Sequence, residues 1–142
     1  MQGIEVANGR SYFPEAQQWC MDKKLTMIGT SDIHQPIQTD IDFSKGEHRT
    51  MTLVFAKERS AEGLREALNN RRTAVFCQDK IIGEEPWLKE LFKNAIQIEN
   101  VDRKGLVVRI TLRNKSDLAF TLKKTTHDFN FTYFRDFRIE PQ

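Results

Sequence analysis

The apolar residues of this chain change period once, near Ala95, and that change constrains the fold more than any other feature. Before it, short apolar runs alternate with stretches of helical spacing. Residues 4–7, 25–30, 50–56 and 73–77 have the length and composition of buried strands. Between them, Pro14 suits a first helical position, and Ala16, Trp19, Cys20 and Lys23 follow at helical spacing. Ser60 is a natural N-cap for a helix carrying Ala61, Leu64, Ala67 and Leu68 on one face. Pro86 opens a last helix with Trp87, Leu88, Leu91, Phe92 and Ala95 along one stripe. Strands alternating with helices of this length predict βα units and a largely parallel sheet over residues 1–94.

From about Ala95 the period is two. Leu106, Val108, Ile110 and Leu112 alternate with Arg109, Thr111 and Arg113, and Asn114-Lys115-Ser116-Asp117 marks a turn. Phe120 and Leu122 resume the alternation, then Phe129, Phe131 and Tyr133, with a slip at Phe134–Asp136 before Phe137 and Ile139. Strands with one wet face predict a small antiparallel β module over residues 95–142. Its aromatic residues are assigned to the buried face of that sheet rather than to an exposed stacking surface. By analogy with the immunoglobulin-like appendages of hydrolases, this module is an accessory domain.

Composition narrows the partners. Charged side chains make up 30% of the chain, 22 basic against 20 acidic, and they are interleaved without a basic stripe. Neither nucleic acid nor an anionic membrane is implied as a partner. No apolar run approaches the roughly 18 residues of a membrane span, and the first residues lack the pattern of a signal peptide. The compartment is not indicated. Cys20 and Cys77 form no metal-binding spacing and read as two buried free thiols.

The chemistry concentrates in Thr26-Met27-Ile28-Gly29-Thr30-Ser31-Asp32-Ile33-His34-Gln35-Pro36. An apolar strand ends there in Asp32 and His34, which strand spacing would turn to the same side. The carboxyl end of a parallel strand is where α/β sheets and barrels place their sites. A carboxylate and an imidazole together suit Zn²⁺, Mn²⁺ or Fe rather than Ca²⁺. Ser31 and Gln35 are available to orient such ligands through hydrogen bonds. On spacing alone, an Asp capping a turn beside an exposed His explains the pair better; its position after an apolar strand brings the two readings level.

The run from Gly3-Ile4-Glu5-Val6 to Gly29-Thr30-Ser31-Asp32-Ile33-His34 resembles the last part of the catalytic domain of the polymerase-and-histidinol-phosphatase (PHP) family. The resemblance covers about residues 3–94. In that family a G-S-D-x-H-like motif supplies an Asp and a His to the active-site metal, and the match carries over to Asp32 and His34. Thr30, inserted between Gly29 and Ser31, is the departure. The resemblance implies part of a β/α barrel and phosphoester hydrolysis of a phosphorylated small molecule by a metal-activated water. The family's H-x-H and its further ligands are absent, and the chain holds three histidines in all. Alone, therefore, this chain is expected to bind a divalent metal weakly and not to catalyse.

Other site residues follow from position. Glu5, at the end of the preceding strand, reads as a hydrogen-bonding rim residue and a candidate further ligand. His48 lies in the polar segment 35–49, as a loop histidine or a residue folded over the site. His127 falls in the β module, exposed. Arg10 and Lys45 sit in loops at the same end, as surface charges or as aids to phosphate binding. A contrasting reading is a non-catalytic binding or oligomerisation module that keeps a remnant metal site. Missing barrel strands would leave an open sheet edge, which predicts a homo-oligomer.

Overall fold

The computed structural model describes residues 2–123 and 136–141. They form two compact units, Met1–Glu90 and Leu91–Gln142. The first contains β1 (Gly3–Asn8), β2 (Ser11–Tyr12), α1 (Pro14–Lys23), β3 (Thr26–Thr30), α2 (Ile37–Asp40), β4 (Met51–Val54), α3 (Ala61–Asn69), β5 (Thr73–Cys77) and β6 (Lys80–Gly83). Helix α4 (Glu85–Ala95) follows, and the division falls within it. The second unit continues with β7 (Ile96–Lys104), β8 (Val107–Asn114), β9 (Phe120–Lys123) and β10 (Asp136–Ile139). Among the described residues no helix is long and apolar enough to cross a membrane.

Two three-stranded sheets, ordered β2-β1-β3 and β4-β5-β6, build the first unit. Only β1 and β3 run parallel; the β1–β2, β4–β5 and β5–β6 pairs are antiparallel. The expected largely parallel sheet is thereby corrected. The reason is visible at α3. The Phe55 N–H donates to the Arg72 carbonyl at 2.9 Å, and Arg72 Nε donates to the Phe55 carbonyl at 3.0 Å. These bonds extend the Val54↔Thr73 ladder and fasten the two ends of the connection to each other. The chain therefore re-enters the sheet at the end it left, and α3 serves as the body of a long hairpin loop instead of a crossover. Ser60 caps α3 as its sequence suggests, its Oγ accepting from the Gly63 N–H at 2.9 Å.

The two sheets meet through side-chain hydroxyls. Thr52 Oγ1 accepts from the Gly29 N–H and donates to the Gly29 carbonyl, both at 2.9 Å. Thr73 Oγ1 donates to the Met27 carbonyl at 2.9 Å. These bonds satisfy backbone groups of β3 that no neighbouring strand reaches. The core between the sheets and α1 comprises Val6, Ala7, Cys20, Met27, Val75, Cys77 and Ile82. Both cysteines are buried and free, and burial pushes the Cys20 thiol above its ordinary pKa.

In the second unit the change of period is realised where it was expected, with β7 starting at Ile96. Strands β7 and β8 form one antiparallel hairpin, and β9 and β10 pair antiparallel as well. The buried-face expectation fails for the first hairpin. Leu106 is 99% exposed, and Ile98, Val101, Val107, Val108 and Ile110 are all more than half or half exposed. A two-stranded ribbon has no second layer of its own, and among the described residues nothing covers its apolar side chains. Phe137 in β10 is also exposed rather than buried. His127, Phe129, Phe131, Tyr133 and Phe134 lie outside the described residues.

The small core here gathers Ala95, Leu118 and Phe120, with Phe92 and Phe120 edge to face at 5.4 Å. Asn114 holds its polar part together. Its side chain is buried, Nδ2 donates to the Leu118 carbonyl at 2.6 Å and to that of Ile139 at 3.4 Å, and Oδ1 accepts from Ser116 N–H and Oγ. Replacing Asn114 with Ala leaves several buried groups unpaired, so it is expected to cost about 2–3 kcal/mol. Faster hydrogen exchange of the β9 amides in the variant checks this; unchanged protection would show that water satisfies those groups.

Candidate functional site

Parallel pairing puts the carboxyl ends of β1 and β3 side by side, with Asn8 opposite Thr30. The register slips between Glu5 and Ala7, so Val6 is an extra residue in β1. Bulges of this kind re-aim neighbouring side chains. Glu5 is engaged twice at this edge. One carboxylate oxygen accepts from Thr30 Oγ1, and the other accepts from Asn8 Nδ2 at 3.0 Å.

Strand β3 stops at Thr30. Two residues on, Asp32 has φ 51°, in the left-handed region that Asp tolerates better than most residues. Its Oδ1 lies 3.3 Å from His34 Nε2, and the two side chains are 55% and 81% exposed. The pair therefore converges, but through a turn rather than through strand alternation. Ser31 is half-buried, and its carbonyl oxygen would lie 3.9 Å from a Cβ added at Gly9. Gln35 is exposed. His48 is half-buried and packs edge to face against Phe76, with ring centroids 5.6 Å apart.

Among the described residues no three His, Cys, Asp or Glu side chains are grouped so as to hold a metal. Glu5, Asp32, His34 and His48 are thus not drawn into one cage. The donor chemistry of Asp32 and His34 fits a divalent transition metal as two ligands of a set, whereas a catalytic zinc takes three protein ligands. Sequence reading passed over Asn8, Gly9, Thr30 and Thr50, which fasten this edge. Gly9 was the available signal, because glycine suits the first central position of a two-residue hairpin turn.

No protein-family model matches the chain, and no curated protein matches it. Among solved structures, a crystal structure of a two-domain protein from Bacteroides vulgatus is 60% identical over 99% of this chain, with a TM-score of 0.91. That protein is described as containing a predicted PHP-like metal-dependent phosphoesterase. This chain matches the C-terminal part of that PHP-like protein. It spans 41% of the protein's length. The resemblance of Gly3–His34 to the PHP family and this match agree, and the mixed α/β architecture with small antiparallel sheets is that of the C-terminal part of the two-domain PHP-like protein.

Proposed function

We propose that this chain is part of a metal-dependent phosphoesterase, in which Asp32 and His34 hold a divalent metal together with ligands supplied from the rest of a longer protein. The observation that carries the reading is the convergence of Asp32 and His34 at the shared carboxyl end of two parallel strands. The 60% identity to a protein containing a predicted PHP-like phosphoesterase supports it. In this reading β1 and β3 are neighbouring strands of a β/α barrel, residues 1–94 complete the catalytic domain, and residues 95–142 form an accessory β module. The metal is Zn, Mn or Fe, and the substrate is a phosphorylated small molecule.

Each residue has a defined task. Asp32 and His34 present an oxygen and a nitrogen donor from one turn. Glu5, bonded to Thr30 and Asn8, keeps the ends of β1 and β3 in register and so fixes where that turn begins. Ser31 and Gln35 flank the pair and orient it. A bound divalent metal would supply Lewis acidity and an activated water.

A second reading, a binding or assembly module, draws on the exposed apolar side chains of β7 and β8. One experiment separates the two. The purified whole protein is assayed for metal by mass spectrometry and for hydrolysis of a chromogenic aryl phosphate, before and after chelation. Near-stoichiometric Zn, Mn or Fe, with hydrolysis lost on chelation and restored by metal, is the expected result. Metal at background level with no hydrolysis would leave the binding module as the reading.

A further inference from the structure

The β1–β2 turn consists of two residues, Gly9 and Arg10, between the paired Asn8 and Ser11. Gly9 has φ 57°, the positive value that such hairpin turns require at their first central position. Three other elements fasten this turn. The Gly9 N–H donates to the Thr30 carbonyl at 3.0 Å, at the end of β3. Thr50 Oγ1, at the entry to β4, donates to the Gly9 carbonyl. Gln78 Nε2, in the β5–β6 turn, donates to the Arg10 carbonyl at 3.0 Å. A two-residue hairpin does not need these bonds to close, and their effect is to fix the position of the Arg10 backbone.

The side chain that this backbone carries is exposed, and among the described residues its guanidinium makes no hydrogen bond or ion pair. The carboxylates of the same edge are already engaged, Glu5 by Thr30 and Asn8, and Asp32 by His34. A Cβ added at Gly9 would lie 3.9 Å from the Ser31 carbonyl oxygen, and Arg10 and Asp32 are the next residues along the chain from these two. That connectivity puts the two Cα atoms on the order of 10 Å apart. An arginine side chain spans most of such a gap, and its planar fork matches two oxygens of a phosphate.

We propose that Arg10 is the anion anchor of this edge, binding the phosphate oxygens of a phosphate monoester seated beside Asp32 and His34. The substrate class rests on the phosphoesterase reading above; the anion site itself rests on the tethered turn and its exposed arginine. The test titrates inorganic phosphate into the whole protein at constant ionic strength, by calorimetry, for the unsubstituted protein, Arg10→Ala and Arg10→Lys. Phosphate is expected to bind about ten-fold more weakly to Arg10→Ala, with Arg10→Lys between the two. Equal affinity in all three, or no phosphate binding by the unsubstituted protein, overturns the proposal. Phosphate binding that depends on Arg10, in a protein that hydrolyses no aryl phosphate, would sustain the anchor and refute the phosphoesterase reading alone.

Discussion

Replacing Asp32 or His34 with Ala in the whole protein is expected, on the phosphoesterase reading proposed above, to lower phosphoester hydrolysis by at least about 100-fold, because loss of a ligand exceeds the 10–100-fold cost of losing a ligand's hydrogen-bond partner. Metal content should fall with activity. Stability should not follow in His34→Ala, since the two side chains are 55% and 81% exposed and bond to each other. Substitutions at such positions stay within about 0.5 kcal/mol. Asp32 needs a second variant because of its left-handed backbone at φ 51°. Asn tolerates that conformation nearly as well as Asp, so Asp32→Asn removes the charge without adding strain. The double variant should be no worse than the more damaged single one, as expected of residues acting as a unit. Full activity and full metal content in Asp32→Asn and His34→Ala would remove both residues from the site.

Gly29→Ala is expected to destabilise the first unit by about 3 kcal/mol, the upper end of the cost of overpacking. A Cβ at Gly29 would lie 2.3 Å from Val75 Cγ1 and 3.3 Å from Val75 Cβ. Val75 is fully buried in the central strand of its sheet and has no room to retreat. Gly29 is equally fixed, since Thr52 Oγ1 bonds both its N–H and its carbonyl. The decisive control is Val75→Ala. Alone it should cost about 2 kcal/mol through lost burial. Combined with Gly29→Ala it should cost clearly less than the sum, because the shortened side chain vacates the space the new methyl needs. Denaturant unfolding of the three variants reads this directly. An additive double variant, or a neutral Gly29→Ala, would mean that β3 and β5 do not pack this closely.

Both predictions concern β3 and the residues that follow it. The apolar run 25–30 identified a buried strand, and Asp32 and His34 stood out as the polar pair ending it. Nothing local foretold that Gly29 faces Val75, 46 residues away, or that Thr52 would substitute for a missing strand neighbour. The proximity of Asp32 and His34 was expected from strand alternation and arises instead from a left-handed turn. Right neighbours were obtained from the wrong geometry, since residues two apart meet in more than one backbone conformation.

The amino-acid pattern by itself determined the elements with strong local signals. These were helix α1 from Pro14, the Ser60 cap of α3, the change to period two at Ala95, and the motif that resembles the PHP family. Capping, propensity and periodicity act over a few residues, so they are written along the chain. Tertiary structure alone decided the antiparallel pairing of β4 with β5, the exposure of the β7–β8 side chains, and the fastening of Gly9 and Arg10 by Thr30, Thr50 and Gln78. A strand's apolar pattern says which face seeks cover; it does not say which strand it joins, in which direction, or whether a covering layer is there. Those outcomes depend on contacts between residues far apart in sequence, whose free energy exists only once the chain has folded.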